Sequence, residues 1–388
     1  MGICWSMLMS VSQKPQEELF TNLPREMTKE ILQRLPIRSI IMCKCVCKLW
    51  RYMIEEGELM PPYSQKPCLA FSFPLHLQEI YTVCDEALKP LLRFRLPTPH
   101  EIHDSRTCIA RVIIGSIDGL LLVWHSCDNH LFIVNPMTRE YVTLLLPMRL
   151  RKYKSIFGIG VSKLSGQYKI LCGTRESTSY YVHTLGGKGE GEGGGLWKCI
   201  EGASAPTALV VPGTPIQPIA TFINGNLHWL SYDLEGNRFV SCFDLDSELF
   251  TRFSLPCPNT MLHLLRLRVL DHQLCLCDIS DGLHVVIWKM NNYGDTNSWT
   301  KEYTFAGSRI YGLVIPLNVL ANGNLLFVSG EDNQLFIYSK STETIVAYGL
   351  LQEYGVFSSN IAFYTPSFVS LTSMGIRNVV INDTLSIQ

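Results

Sequence analysis

Surplus charge of either sign is missing from this chain. Its 33 basic and 34 acidic residues leave a formal net charge of −1, so nothing draws it as a whole to a polyanion, and no local basic stripe stands out. Nucleic-acid binding is therefore not expected. Long apolar runs are missing too: the best stretch, Met261 to Leu270, is broken by Arg266 and Arg268 and falls short of the roughly 18 apolar residues a spanning helix needs. No positive start followed by a long apolar core marks a secretory signal. Met1-Gly2-Ile3-Cys4-Trp5-Ser6 does meet the myristoylation pattern M-G-x-x-x-[ST], with Cys4 placed for a second lipid. So short a pattern arises often by chance, Met7 and Met9 offer other starts, and no membrane attachment is expected.

Signatures of catalysis are equally scarce. Among the 14 cysteines no C-x-x-C pair occurs, and Cys43, Cys45 and Cys47 alternate with one intervening residue where zinc ligands are spaced by two or more. Neither a metal nor a cofactor is expected, and the cysteines read as reduced, mostly buried thiols. There is no H-E-x-x-H and no serine flanked by nucleophile-elbow glycines. Lys188 lies in the glycine- and glutamate-rich run Gly186 to Gly195, which is no G-x-x-x-x-G-K-[ST] loop and reads as a hairpin tip. Gly158-Ile159-Gly160 lacks the third glycine of a dinucleotide site, and a close backbone contact explains it better. His100 and His103 fall in a proline-rich connection, and His228, beside Trp229, reads as a packed, hydrogen-bonded strand residue. Asp244 and Asp246 follow a strand, where side-chain to backbone bonding is the default use of aspartate.

What is present is apolar surface in two kinds of pattern. At 388 residues, with 47% hydrophobic and 17% charged, the chain is folded and too long for one compact core. A flexible start over 1–18, a small helical module over 19–60 and a large domain over 61–388 are the expected divisions. In the module, Pro24 suits a helix start, and Met27, Ile31, Leu32 and Leu35 fall on one face before Pro36 ends the helix. A turn is expected at Ile37-Arg38-Ser39. Val46, Leu49, Trp50, Met53 and Ile54 then recur at i, i+3, i+4, i+7 and i+8, a single wide helical stripe. So small a module cannot bury all of this within itself, and a partner surface is implied.

The array Leu23-Pro24, Ile31-Leu32, Leu35-Pro36, Val46-Cys47-Lys48, Trp50-Arg51 and Ile54 resembles the F-box. The resemblance implies that Leu23, Pro24, Ile31, Leu32, Leu35, Pro36, Val46, Cys47, Trp50, Arg51 and Ile54 form the face that docks on a Skp-type adaptor, and through it on cullin and RING subunits.

The second pattern is a repeat. Asp118-Gly119, Asn224-Gly225, Asp271-His272 and Asn322-Gly323 each precede a short apolar strand: Leu120 to Trp124, Leu227 to Leu230, Leu274 to Cys277 and Leu325 to Val328. A second strand follows each, at Leu131 to Val134, Phe239 to Phe243, Val285 to Trp288 and Leu335 to Tyr338, and then a third. The anchors are 271 − 224 = 47 and 322 − 271 = 51 apart, while 224 − 118 = 106 leaves room for a hidden unit over Tyr153 to Glu201. A period near 50 built of antiparallel strands is that of an all-β propeller, and the stretch holds roughly six blades. Ring closure is expected to pair Cys68 to Phe73 with Ile361 to Val369.

Gly115 to Leu121, Val134-Asn135-Pro136-Met137-Thr138, Phe157 to Gly160 with Tyr168-Lys169-Ile170, and Asn224 to Trp229 resemble the F-box-associated domain of a large plant family related to kelch-type propellers. Together the resemblances imply the substrate-recognition subunit of a Skp-cullin-F-box ubiquitin ligase, non-catalytic, in the cytoplasm and/or nucleus. In that reading the propeller holds a target protein for ubiquitination and degradation. An F-box scaffold working outside the ligase and a carbohydrate-reading propeller are the alternatives. No residue is assigned to the target.

Overall fold

The computed structural model describes residues 23–55 and, between 68 and 387, the strands with most of their short turns. Outside the description lie 1–22, 56–67, 98–110, 148–154, 187–196, 202–218, 258–264, 307–313, 351–360 and several shorter stretches. Two compact units result: Met1–Gln65 with the short segment Phe368–Ser370, and Lys66–Ser367 with Leu371–Gln388.

Among its described residues the first unit holds three short helices, α1 (Arg25–Gln33), α2 (Ile37–Cys43) and α3 (Lys48–Glu55). Prolines open two of them. Pro24 and Pro36 stand just before α1 and α2, their carbonyls accepting the Thr28 and Ile40 N–H groups at 3.0 and 3.1 Å. Ile37-Arg38-Ser39 is thus the first turn of a helix and not the expected turn: proline's fixed φ stops α1 but preorganises the entry to α2. Val46 precedes α3, which starts where the Cys47 carbonyl accepts the Arg51 N–H at 3.1 Å, so it stands outside the helical stripe predicted for it.

The second unit is a six-bladed propeller of antiparallel sheets. Blade 1 contains β1 (Cys68–Leu75), β2 (Gln78–Cys84) and β3 (Pro90–Phe94). Blade 2 contains β4 (Arg111–Ile117), β5 (Leu120–His125), β6 (His130–Asn135) and β7 (Glu140–Leu145). Blade 3, the unit hidden in the long spacing, is β8 (Ser155–Val161), β9 (Tyr168–Thr174), β10 (Ser179–Thr184) and β11 (Lys198–Glu201). Blades 4 to 6 are β12 (Thr221–Ile223) to β15 (Phe250–Ser254), β16 (Leu265–Leu270) to β19 (Trp299–Ala306), and β20 (Val314–Val319) to β23 (Thr344–Leu350). Within those three blades the middle strands are β13 (Asn226–Tyr232), β14 (Arg238–Asp244), β17 (Gln273–Asp278), β18 (His284–Met290), β21 (Leu325–Ser329) and β22 (Gln334–Ser339).

Each repeat turns out to begin one strand earlier than the sequence pattern: the anchor dipeptides are the hairpin turns between the first and second strands. Asp118, Gly119, Asn224, Gly225, Asp271 and His272 all have positive φ, the backbone of a type I′ turn. Gly119 leaves no alternative, since a Cβ there would stand 2.8 Å from the Ser367 backbone nitrogen. The glycines of Gly158-Ile159-Gly160 likewise make close contacts: a Cβ would meet Ala220 at 2.7 Å and Phe222 at 2.4 Å.

The core sits between blades. Phe157 and Ile159 of blade 3 pack with Ile114 and Leu122 of blade 2, and Trp229 and Phe243 of blade 4 with Leu171 and Tyr180 of blade 3. Leu69 and Phe71 of blade 1 pack with Ile315 and Leu326 of blade 6. Because both sheet faces are covered, β5 is buried at every position, while the outer β7 alternates. Polar ties add to this packing. Buried Lys169 donates to the Leu245 carbonyl at 2.7 Å and to Glu248 at 2.8 Å, and Lys198 reaches the other Glu248 oxygen at 2.6 Å, joining blades 3 and 4.

The ring closes as expected, with β24 (Ile361–Tyr364) pairing antiparallel to β1, Phe363 opposite Leu69. Two further strands were not foreseen: β25 (Val380–Ile381) adds to β7 and β26 (Ser386–Ile387) adds to β3. Two residues each, they are too short to leave a periodic signal.

Candidate functional site

Within Leu23–Glu55 the apolar side chains range from buried to exposed, with Leu23, Leu35, Ile37 and Leu49 half-buried. Leu32, Ile40, Ile41, Trp50, Met53 and Ile54 are buried. Met27, Ile31, Met42, Val46 and Tyr52 are exposed, by between 41 and 57%. These five are 5 of the 13 large exposed apolar side chains among the described residues, gathered in a stretch of 55 − 23 + 1 = 33 residues. Met27 and Ile31 are one turn apart on α1, next around the helix from the buried pair Thr28 and Leu32.

The eleven residues of the F-box array therefore do different things. Pro24, Ile31, Pro36, Val46 and Arg51 are exposed, while Leu23, Leu35 and Cys47 are half-buried. Leu32, Trp50 and Ile54 are interior side chains. Arg25 lies over the Tyr52 ring at 5.8 Å, and Lys44 pairs with Glu55 at 3.0 Å, holding α1 and α2 to α3. Cys47 uses its sulfur to accept the Trp50 N–H at 3.4 Å. Met42 and Tyr52, apolar and outward, are absent from the array. Helical spacing places residues around an axis but does not say which side a neighbouring helix will occupy.

On the propeller, the polar residues that could pass for catalytic groups have structural partners. His228 meets the Thr221 carbonyl at 3.2 Å through Nδ1 and the Tyr293 hydroxyl at 2.9 Å through Nε2, and burial pushes its imidazole down to about 4. Asp244 accepts the Asp246 and Ser247 N–H groups at 2.8 Å. Asp246 accepts the Ser162 hydroxyl and the Lys163 and Leu164 N–H groups, which hold its carboxyl below the ordinary range. Asn135 makes the same kind of turn, accepting from Met137 N at 2.9 Å. His100, His103 and Lys188 lie outside the described residues. Cys43, Cys68, Cys84, Cys172, Cys242, Cys275 and Cys277 are buried and outside any disulfide, and Cys45 and Cys199 are exposed. No described helix is long and apolar enough to cross a membrane.

A helical unit with outward apolar side chains ahead of a six-bladed propeller defines the class of protein: a small helical module followed by a β-propeller. Comparison gives that class its family. The F-box-associated beta propeller domain matches residues 80–370, which is 291 of 388 residues, and the F-box domain matches residues 20–59. The chain belongs to the F-box-associated β-propeller family and carries an F-box, the architecture of F-box substrate receptors.

Curated relatives from Arabidopsis thaliana agree. A putative F-box protein is 26% identical over 74% of this chain and 66% of its own length, a little under two thirds. An F-box protein is 28% identical over 73% and 72%, and an F-box/kelch-repeat protein 24% identical over 75% and 82%.

Proposed function

We propose that this protein is the substrate-recognition subunit of a Skp-cullin-F-box ubiquitin ligase, acting in the cytoplasm, the nucleus or both. The observation that carries the reading is the set of exposed apolar side chains on the F-box unit, Ile31 and Val46 among them. Covering such side chains supplies association energy, and truncating a well-packed anchor costs about 2 kcal/mol or more, roughly 30-fold in affinity. The propeller then holds a target near a conjugating enzyme carried elsewhere in the complex. Catalysis is by proximity: tethering raises the effective concentration of the target's lysines, and no acid, base or nucleophile of this chain is required.

The test is capture of a Skp-type adaptor by the full chain. Ile31→Lys with Val46→Lys should reduce capture at least 30-fold while the protein stays folded, because both side chains already face solvent. Undiminished capture by the folded double variant would overturn the reading.

A further inference from the structure

Strands alternate in direction within each blade, so the turn from first to second strand and the turn from third to fourth open on one face of the propeller. On that face blades 3 to 5 stand apart. Leu164 lies in the turn between β8 and β9, Leu249 in the turn between β14 and β15, and Tyr293 in the turn between β18 and β19. Their side chains are 89, 64 and 38% exposed. The other exposed large apolar side chains described on the propeller lie on the outer strands β7, β23 and β25. In the matching turns of blades 2 and 6, Met137 is buried and Lys340 to Glu343 is polar.

Hydrogen bonds gather the three turns around blade 4 and fix them. Asp246, in the same turn as Leu249, accepts the Lys163 and Leu164 N–H groups at 3.0 and 3.2 Å, which ties the blade 3 turn to the blade 4 turn. Tyr293 reaches blade 4 through its hydroxyl, 2.9 Å from Nε2 of His228. Each turn is also bonded within itself: the Gly166 N–H donates to the Ser162 carbonyl, the Asp244 N–H to the Leu249 carbonyl and the Ser298 N–H to the Asp295 carbonyl, all at 3.0 Å. Side chains on turns already ordered lose little freedom on contact, and a partner that covers Leu164 and Leu249 gains burial that folding leaves unused.

Charge says which partner. Exposed Asp271 and Asp295 and half-buried Asp246 share this face, and the Ser162 hydroxyl with the two N–H groups holds the Asp246 carboxyl below the ordinary range. Glu248 is already met by Lys169 and Lys198. Lys163 is the one lysine or arginine on the described turns of blades 3 to 5. Such a face attracts cations, and two copies of it would set aspartates against aspartates.

We propose that this face of blades 3 to 5 holds the target, with Leu164, Leu249 and Tyr293 as apolar anchors for a segment that also carries lysine or arginine. In calling the occupant a target it rests on the receptor reading, which leaves the surface and its chemistry open. The anchors supply burial, and basic side chains beside Asp246, Asp271 and Asp295 add attraction that salt screens.

The probe is a phage-displayed library of random dodecapeptides panned on the full chain, with enriched peptides synthesised and titrated by fluorescence anisotropy. Enriched peptides should combine apolar with basic side chains and bind saturably. Leu164→Ser with Leu249→Ser should weaken that binding at least about tenfold, and added salt should weaken it in wild type. Both leucines already face solvent, so the double variant should keep the wild-type melting temperature; if it does not, Leu164→Ser alone makes the same comparison. No enrichment, enrichment of acidic peptides, or equal binding by wild type and variant overturns the surface. Self-association in sedimentation velocity that the double variant abolishes would give the face to a second copy and overturn the target assignment. Adaptor capture should be unchanged in the double variant, and a chain that binds these peptides yet captures no adaptor would count against the receptor reading alone.

Discussion

Trp50 and Ile31, two residues of one sequence array, differ in what their removal should reveal. Trp50 is interior, so Trp50→Ala should destabilise the helical unit by about 3–5 kcal/mol and abolish adaptor capture through unfolding, which loss of helical circular dichroism would report. Ile31→Lys should leave that signal and the melting temperature nearly unchanged while capture falls. The opposite pattern, an intact fold without Trp50, would make the tryptophan a contact residue. His228 gives a pH test. Its folded value near 4 lies below the ordinary 6.5, so between these values the unfolded chain holds more protons. Its contribution is present in full above pH 6.5 and is lost as pH falls toward 4, by up to roughly 3 kcal/mol. Melting temperatures at pH 7 and 4.5 should therefore differ less in His228→Gln than in wild type. An equal difference would exclude His228 as a source of acid sensitivity.

Among the elements, the two short strands β25 and β26 matter beyond their length. They cover the outer edges of β7 and β3, which otherwise present unpaired N–H and C=O groups to any passing strand. Other outer strands carry charge on their edges, such as Arg252 on β15 and Lys301 and Glu302 on β19. β7 and β3, which carry Glu140 and Arg93, are covered by pairing as well. Removing residues 380–388 should lower the melting temperature by about 2–4 °C, the effect of losing on the order of 1 kcal/mol, and should promote self-association seen by light scattering. A monodisperse truncated chain with an unchanged melting point would mean that these strands protect nothing. The same scale explains what the strand pattern missed. First strands such as β12 and β20 are short or carry a proline, and their side chains pack against neighbouring blades, so neither length nor alternation announces them.

For the molecule as a whole, the interblade cores are built, among the described residues, from the propeller alone. A fragment starting at Lys66 should therefore fold, melt cooperatively and retain its β-sheet circular dichroism while capturing no adaptor. A fragment that aggregates would show that the propeller needs the preceding helices. Much of this organisation was legible in the sequence. The LP…ILQRLP…VCKLWR array named the docking module, because helix-forming spacing and proline positions are local properties. The turn dipeptides fixed the repeat, because a type I′ turn admits few residues. The spacing of 106 implied the hidden blade, and the pairing of Cys68 to Phe73 with the later strand followed from the need to close a ring. Only the tertiary structure decided which apolar residues face outward on the helices and that the last strands cover two blade edges. Those facts depend on residues distant in sequence meeting in space. Periodicity along one chain assigns a side chain to a face, but what covers that face is set by the neighbours that folding brings to it.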